Sequence, residues 1–111
     1  MNECEPCSGA FAEPTLADLT QYRRDLHQIP EVDFDLPKTI AYVHSVIDEL
    51  PCEVFDPCRS TVCAFFDRGS EHTTAIRTDM DALPVTEKSG APFCSTHAGH
   101  MHACGHDGHM A

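Results

Sequence analysis

Positive charge is scarce in this chain: seven Lys and Arg stand against eighteen Asp and Glu among 111 residues, a formal charge of −11 with His neutral. A surface of that sign repels phosphate backbones and anionic lipid, so neither nucleic acid nor membrane is an expected partner. Long apolar runs are missing too, and none approaches the ~20 residues that span a bilayer. The opening Met1-Asn2-Glu3-Cys4-Glu5-Pro6-Cys7 has no basic stretch and no apolar stretch of a secretory leader. The expectation is a soluble, unexported protein of the cytoplasm. Several catalytic signatures are absent as well. There is no His-Glu-x-x-His, no Gly-x-Ser-x-Gly elbow, no phosphate-cradling Gly loop and no deaminase His-x-Glu with Pro-Cys-x-x-Cys. There are no internal repeats.

What is present fits one domain. Apolar residues make up 41% of the chain and fall in periodic segments, which favours a globular body over disorder. Seven Cys (4, 7, 52, 58, 63, 94 and 104) are an odd count without a secretion signal, so reduced thiols, buried or metal-bound, are expected. Residues 1–14 lack periodicity and read as a loose leader, in which Cys4 and Cys7 are incidental thiols. From Thr15 the spacing of Leu16, Leu19, Tyr22, Leu26 and Ile29 predicts an amphipathic helix ended by Pro30. A second stripe, Ile40, Val43, Ile47 and Leu50, predicts another helix that stops at Pro51. Strands are then expected at Cys52–Phe55, within Ser60–Phe66 and, after the turn signal Asp67-Arg68-Gly69-Ser70, at Thr73–Arg77. The fold class is α/β, a sheet flanked by helices.

The chemistry-bearing residues lie after Thr78. In Gly99-His100-Met101-His102-Ala103-Cys104-Gly105-His106-Asp107-Gly108-His109 a thiol and an imidazole stand two residues apart with glycines that permit a tight backbone. Such a mixed S/N pair suits Zn²⁺, and admits Co²⁺, Ni²⁺ or, with carboxylates, Mn²⁺. Arg77-Thr78-Asp79-Met80-Asp81 places carboxylates at the end of the expected strand, where α/β folds collect ligands; Asp79 could orient a metal-binding His. Alone, these Asp residues also read as turn formers. His27 and His44 fall in the helices, and His44 with Asp48 reads as an exposed i, i+4 pair.

Three stretches taken in order resemble a known family: Arg23-Arg24-Asp25-Leu26-His27-Gln28-Ile29-Pro30-Glu31, then Arg77 to Pro84, then Met101 to His109. They are similar to the start of the amidohydrolase branch of the co-catalytic metallopeptidases, which includes hippurate hydrolase, the indole-acetyl-amino-acid hydrolases and N-acetyl-diaminopimelate deacetylase. The resemblance covers residues 16–111 and makes 15–111 the first portion of a catalytic domain with a mixed sheet, incomplete here. It implies a parent enzyme that hydrolyses the amide bond of N-acyl amino acids with two divalent ions (Zn, Mn, Co or Ni) and assembles as a homodimer or larger homo-oligomer. Cys104 and His106 match the first two metal ligands, His106 in the bridging position, and Asp79 the active-site acid. Arg77 stands where more distant relatives have a metal-binding His. The general-base Glu pair and two further His ligands of the family match nothing in this chain, and Glu87, in a Pro- and Gly-flanked loop with some freedom, matches no family position. The 111-residue chain is therefore expected to bind metal weakly and to be inactive alone; substrate-binding residues are unknown. A small Cys/His metal-binding module and a truncated fragment without a role are the other readings.

Overall fold

The computed structural model describes residues 13–111, which place the leader thiols Cys4 and Cys7 outside the described residues. The first element, α1 (Leu16–His27), begins at a capping box: the Asp18 amide donates to the Thr15 hydroxyl at 3.2 Å and the Thr15 amide to the Asp18 carboxylate at 2.8 Å. Two orphan donors at the helix start are thereby satisfied reciprocally. The helix closes just before Pro30, and Arg24 and His27 lie in its last turn, where cations favour the dipole. Helix α2 (Pro37–Ile47) opens with Pro at its first position. Its N-cap, Leu36, offers no side-chain acceptor. Glu31 reaches across instead, its carboxylate accepting from the Thr39 amide at 2.7 Å and the Lys38 amide at 3.2 Å.

Two short strands follow, β1 (Glu53–Phe55) and β2 (Cys63–Phe65), paired antiparallel with Val54 opposite Ala64. The α/β composition matches the expectation, while the sheet is small and antiparallel. The turn after β2 forms as read: Gly69 adopts φ +72° and donates to the Asp67 carboxylate at 2.9 Å. The expected strand at Thr73–Arg77 does not form. Extended backbone needs a neighbour for its amides and carbonyls, and among the described residues this stretch has no ladder partner, with Ile76 97% exposed.

The core lies under the α1–α2 connection. Among the described residues its buried apolar side chains are Leu26, Leu36 and Ala82, with Pro30 also enclosed. The carbonyls of this connection gather the later loops: Gln28 accepts from the Thr96 amide at 3.0 Å, Pro30 from the His97 ring at 2.7 Å, and Glu31 from the Ala82 amide at 2.7 Å. An isolated antiparallel bridge joins Leu83 to Met101. Together these bonds draw the Asp79–Asp81 stretch alongside the loop that leads into α3 (His106–Met110). No described helix is long and apolar enough to cross a membrane.

Candidate metal centre

The site is built where α3 begins. Its N-cap, Gly105, sits at φ +96°, a left-handed conformation that a side chain makes costly, and it turns the chain from Cys104 into the helix carrying His106. His106 Nδ1 donates to the Asp81 carbonyl at 2.8 Å, and the Asp81 carboxylate lies 3.2 Å from the same nitrogen. A donated Nδ1 proton leaves Nε2 as the lone-pair nitrogen, as metal-binding histidines require. Nε2 faces an Asp79 carboxylate oxygen 4.0 Å away, beyond hydrogen-bond reach. Two acceptors directed at one another suit a shared cation. The other Asp79 oxygen accepts from the Arg77 guanidinium at 2.7 Å. Asp79 thus stands beside His106, on an unpaired segment tied down at Ala82 and Leu83 and not, as expected, at the end of a strand.

Cys104 is a free, exposed thiol on the loop immediately before Gly105. A thiolate, an imidazole with a free Nε2 and a carboxylate form a donor set that fits a borderline-soft divalent ion. Among the described residues no three His, Cys, Asp or Glu side chains converge on one point. His102 is buried, 3% exposed, and neither ring nitrogen has a hydrogen-bond partner. Burial pushes its pKa below the ordinary value, against the pull of Asp107.

Behind this site lies a buried polar cluster that sequence reasoning missed. His27 Nδ1 is 2.7 Å from Asp107 Oδ2, and its Nε2 is 3.0 Å from Glu87 Oε1. The Arg23 guanidinium donates to the same Asp107 oxygen at 2.9 Å. All three members of the inner chain are enclosed, with side chains 2–5% exposed. Glu87 is accordingly not the free carboxylate expected of a loop. Burial raises its pKa, but hydrogen bonds from the Ser89 hydroxyl, the Ser95 amide and His27 outweigh that and hold it below the ordinary value. The signal for His27 lay in its family-like stretch from Arg23 to Glu31; its helical period alone marked only a core position. By contrast His44 pairs with Asp48 at 3.0 Å as the i, i+4 spacing predicts.

An apolar groove of about 480 Å³ runs between α1, α2 and the end of α3, lined by Leu19, Tyr22, Leu26, Val43, Ile47 and Met110. None of Asp79, Cys104 or His106 lines it.

Known proteins match this architecture. Residues 75–111 match the family described as Peptidase family M20/M25/M40. The chain is 48% identical over 100 residues to N-acetyldiaminopimelate deacetylase of Streptococcus pneumoniae, covering 86% of this chain and 27% of that protein. It is 46% identical over 99 residues to the enzyme of that name from Listeria monocytogenes, with the same coverage. Among solved structures it is similar to a dinuclear metal-binding M20 peptidase of Bacillus subtilis (TM-score 0.75, 40% identity, 85% of this chain and 27% of that one). A protein of methicillin-resistant Staphylococcus aureus assigned as an aminohydrolase gives a TM-score of 0.78 at 38% identity, over 85% of this chain and 26% of that one. The chain spans about a quarter of the length of these relatives. Through residues 75–111 the chain matches peptidase family M20/M25/M40, and through its fold and these relatives it is similar to about a quarter of the length of such proteins.

Proposed function

We propose that the chain supplies part of the metal centre of an enzyme that hydrolyses the amide bond of N-acyl amino acids. The observation that carries this reading is His106, its Nδ1 committed to the Asp81 carbonyl and its Nε2 facing Asp79, two residues from a free Cys104 thiol. The deacetylase relatives and the dinuclear metal-binding neighbour support the same chemistry. Cys104 and His106 would hold the metal, with Zn²⁺, Mn²⁺, Co²⁺ or Ni²⁺ the candidates and two divalent ions in the complete site. Divalent ions in such a site polarise the amide carbonyl and lower the pKa of water.

The chain's own residues set up that chemistry. The Asp81 carbonyl fixes the His106 tautomer, Asp79 orients and polarises what approaches Nε2, and Arg77 keeps the Asp79 carboxylate turned toward it. The general base and the remaining ligands are supplied by no residue found here, so the 111-residue chain should bind metal and show no turnover. The protein is read as cytoplasmic, and the complete enzyme as a homodimer or larger homo-oligomer.

The test is Zn²⁺ retention by the purified chain, with an N-acyl amino acid assay alongside. Cys104→Ala and His106→Ala should each lower affinity by at least the roughly tenfold that loss of a ligand's outer partner costs, while Cys4→Ala leaves it unchanged. Equal losses in Cys104→Ala and Cys4→Ala would move the site to the leader. Robust hydrolysis by the wild-type chain would refute the claim that it is inactive alone.

A further inference from the structure

Helix α3 has five residues and its N-cap has no side chain, so it holds neither its own turn nor the direction of His106. Isolated helices of that length are not stable in water. Apart from the Asp81 carbonyl that holds the His106 ring, what anchors it comes from α1. The Asp107 side chain, 2% exposed, points back into α1, where Oδ2 accepts from Arg23 Nε at 2.9 Å and faces His27 Nδ1 at 2.7 Å. His27 is held in turn on its far side by Glu87 Oε1 at 3.0 Å, and its ring meets Phe93 edge-on. Both ring nitrogens face carboxylate oxygens, an arrangement satisfied on both sides when each nitrogen carries a hydrogen.

Neighbouring residues on a helix project about 100° apart around its axis. Fixing the azimuth of Asp107 therefore fixes that of His106, and through Gly105 the approach of the Cys104 loop. We propose that His27 is a positioning residue for the Cys104–His106 pair, acting through Asp107, with Glu87 locking His27 itself and Arg23 holding Asp107 beside it. The four side chains form a clamp between the long, well-capped α1 and the short α3. None of them is among the proposed ligands. The clamp sets the angle between thiol and imidazole, and so decides whether both reach one ion. This inference rests on the metal reading proposed above.

The experiment adds Co²⁺ to the 111-residue chain and compares wild type with His27→Gln, Asp107→Asn and the surface control His44→Gln. Affinity is measured together with the thiolate-to-cobalt charge-transfer absorption, which reports sulfur in the shell and is assigned to Cys104 by its loss in Cys104→Ala. His27→Gln and Asp107→Asn should each weaken Co²⁺ binding by about tenfold and diminish the charge-transfer band, with helicity by circular dichroism retained. His44→Gln should change neither. Wild-type affinity and spectrum in both variants would overturn the proposal. Should His27→Gln lose helicity, the near-isosteric Asp107→Asn decides alone. A second, metal-free readout is amide exchange at Gly108 and His109, whose amides donate to the Gly105 carbonyl. It should quicken about tenfold in both variants, and unchanged exchange overturns the clamp. If wild type takes up no Co²⁺, the metal reading fails and the positioning role falls with it, while exchange still tells whether the clamp exists.

Discussion

Glu31 shows how much one buried carboxylate can organise. Its side chain caps α2 in place of the apolar N-cap, and its carbonyl takes the Ala82 amide that leads back to Asp79 and Asp81. Hydrogen bonds to a charged group contribute about 1.5–3 kcal/mol each when buried. Glu31→Ala should therefore destabilise the first turn of α2 by about 2 kcal/mol, read as faster amide exchange at Lys38 and Thr39, and Glu31→Gln should restore part of it. At the surface the balance is different. Hydrogen bonding to Asp48, the largest cause, raises the His44 pKa above its ordinary 6.5, aided by the charge of Asp56. A raised folded-state pKa means that this pair's contribution is complete below pH 6.5 and disappears as pH climbs through the folded-state value. A proton NMR titration should place the His44 midpoint above 6.5, and Asp48→Asn should lower it; a midpoint unmoved by that substitution would sink the assignment.

Among elements, the two ends of the chain's helical framework are secured by opposite means. Helix α1 starts with a local device, the Thr15–Asp18 box, whose backbone and hydroxyl hydrogen bonds hold the Asp18 carboxyl below the ordinary carboxylate range. That support is present above pH 3.8 and is lost as pH falls through the lowered value. Thr15→Ala should accordingly fray the first turn at neutral pH and flatten the acid-side loss of helicity seen in wild type. Helix α3 has no such local device and depends on a backbone conformation and on long-range partners. Gly105→Ala meets no clash, since its nearest neighbours are His109 ring atoms at 3.9 Å, but φ +96° disfavours an L side chain. The strain is about 1–2 kcal/mol, and relief by rotating the backbone would swing His106 away from Asp81. Weaker Zn²⁺ retention is expected in Gly105→Ala than in Gly90→Ala, where φ is +70° but the residue lies outside the motif.

At the scale of the fold, the decisive feature is how little apolar surface is enclosed among the described residues. Leu26, Leu36 and Ala82 are buried, while Ile76 is 97% exposed, Leu16 81% and Phe34 69%. Full burial of one large apolar side chain contributes roughly 1.5–3 kcal/mol, against a backbone ordering cost of about 1–2 kcal/mol per residue. So small a core should give a broad thermal transition and binding of apolar dyes at neutral pH, in place of a sharp cooperative melt. A sharp transition with no dye binding would show that these faces are covered in solution.

Much of this protein was settled along the chain. The α1 stripe, its capping box, the stop before Pro30, the Gly69 turn and the His44–Asp48 pair are short-range matters of period and local hydrogen bonding, so residue order alone specifies them. The motif from Gly99 to His109 likewise announced a thiol and an imidazole in one tight loop. Tertiary structure decided the rest. Whether Thr73–Arg77 becomes a strand depends on a neighbour that pairs with it, and the sequence of that stretch carries no information about one. His27, Glu87 and Asp107 are separated by up to 80 residues yet share a buried hydrogen-bonded chain. Their partnership depends on how α1 and α3 dock, because a carboxylate is drawn into the interior only where folding brings a donor to meet it.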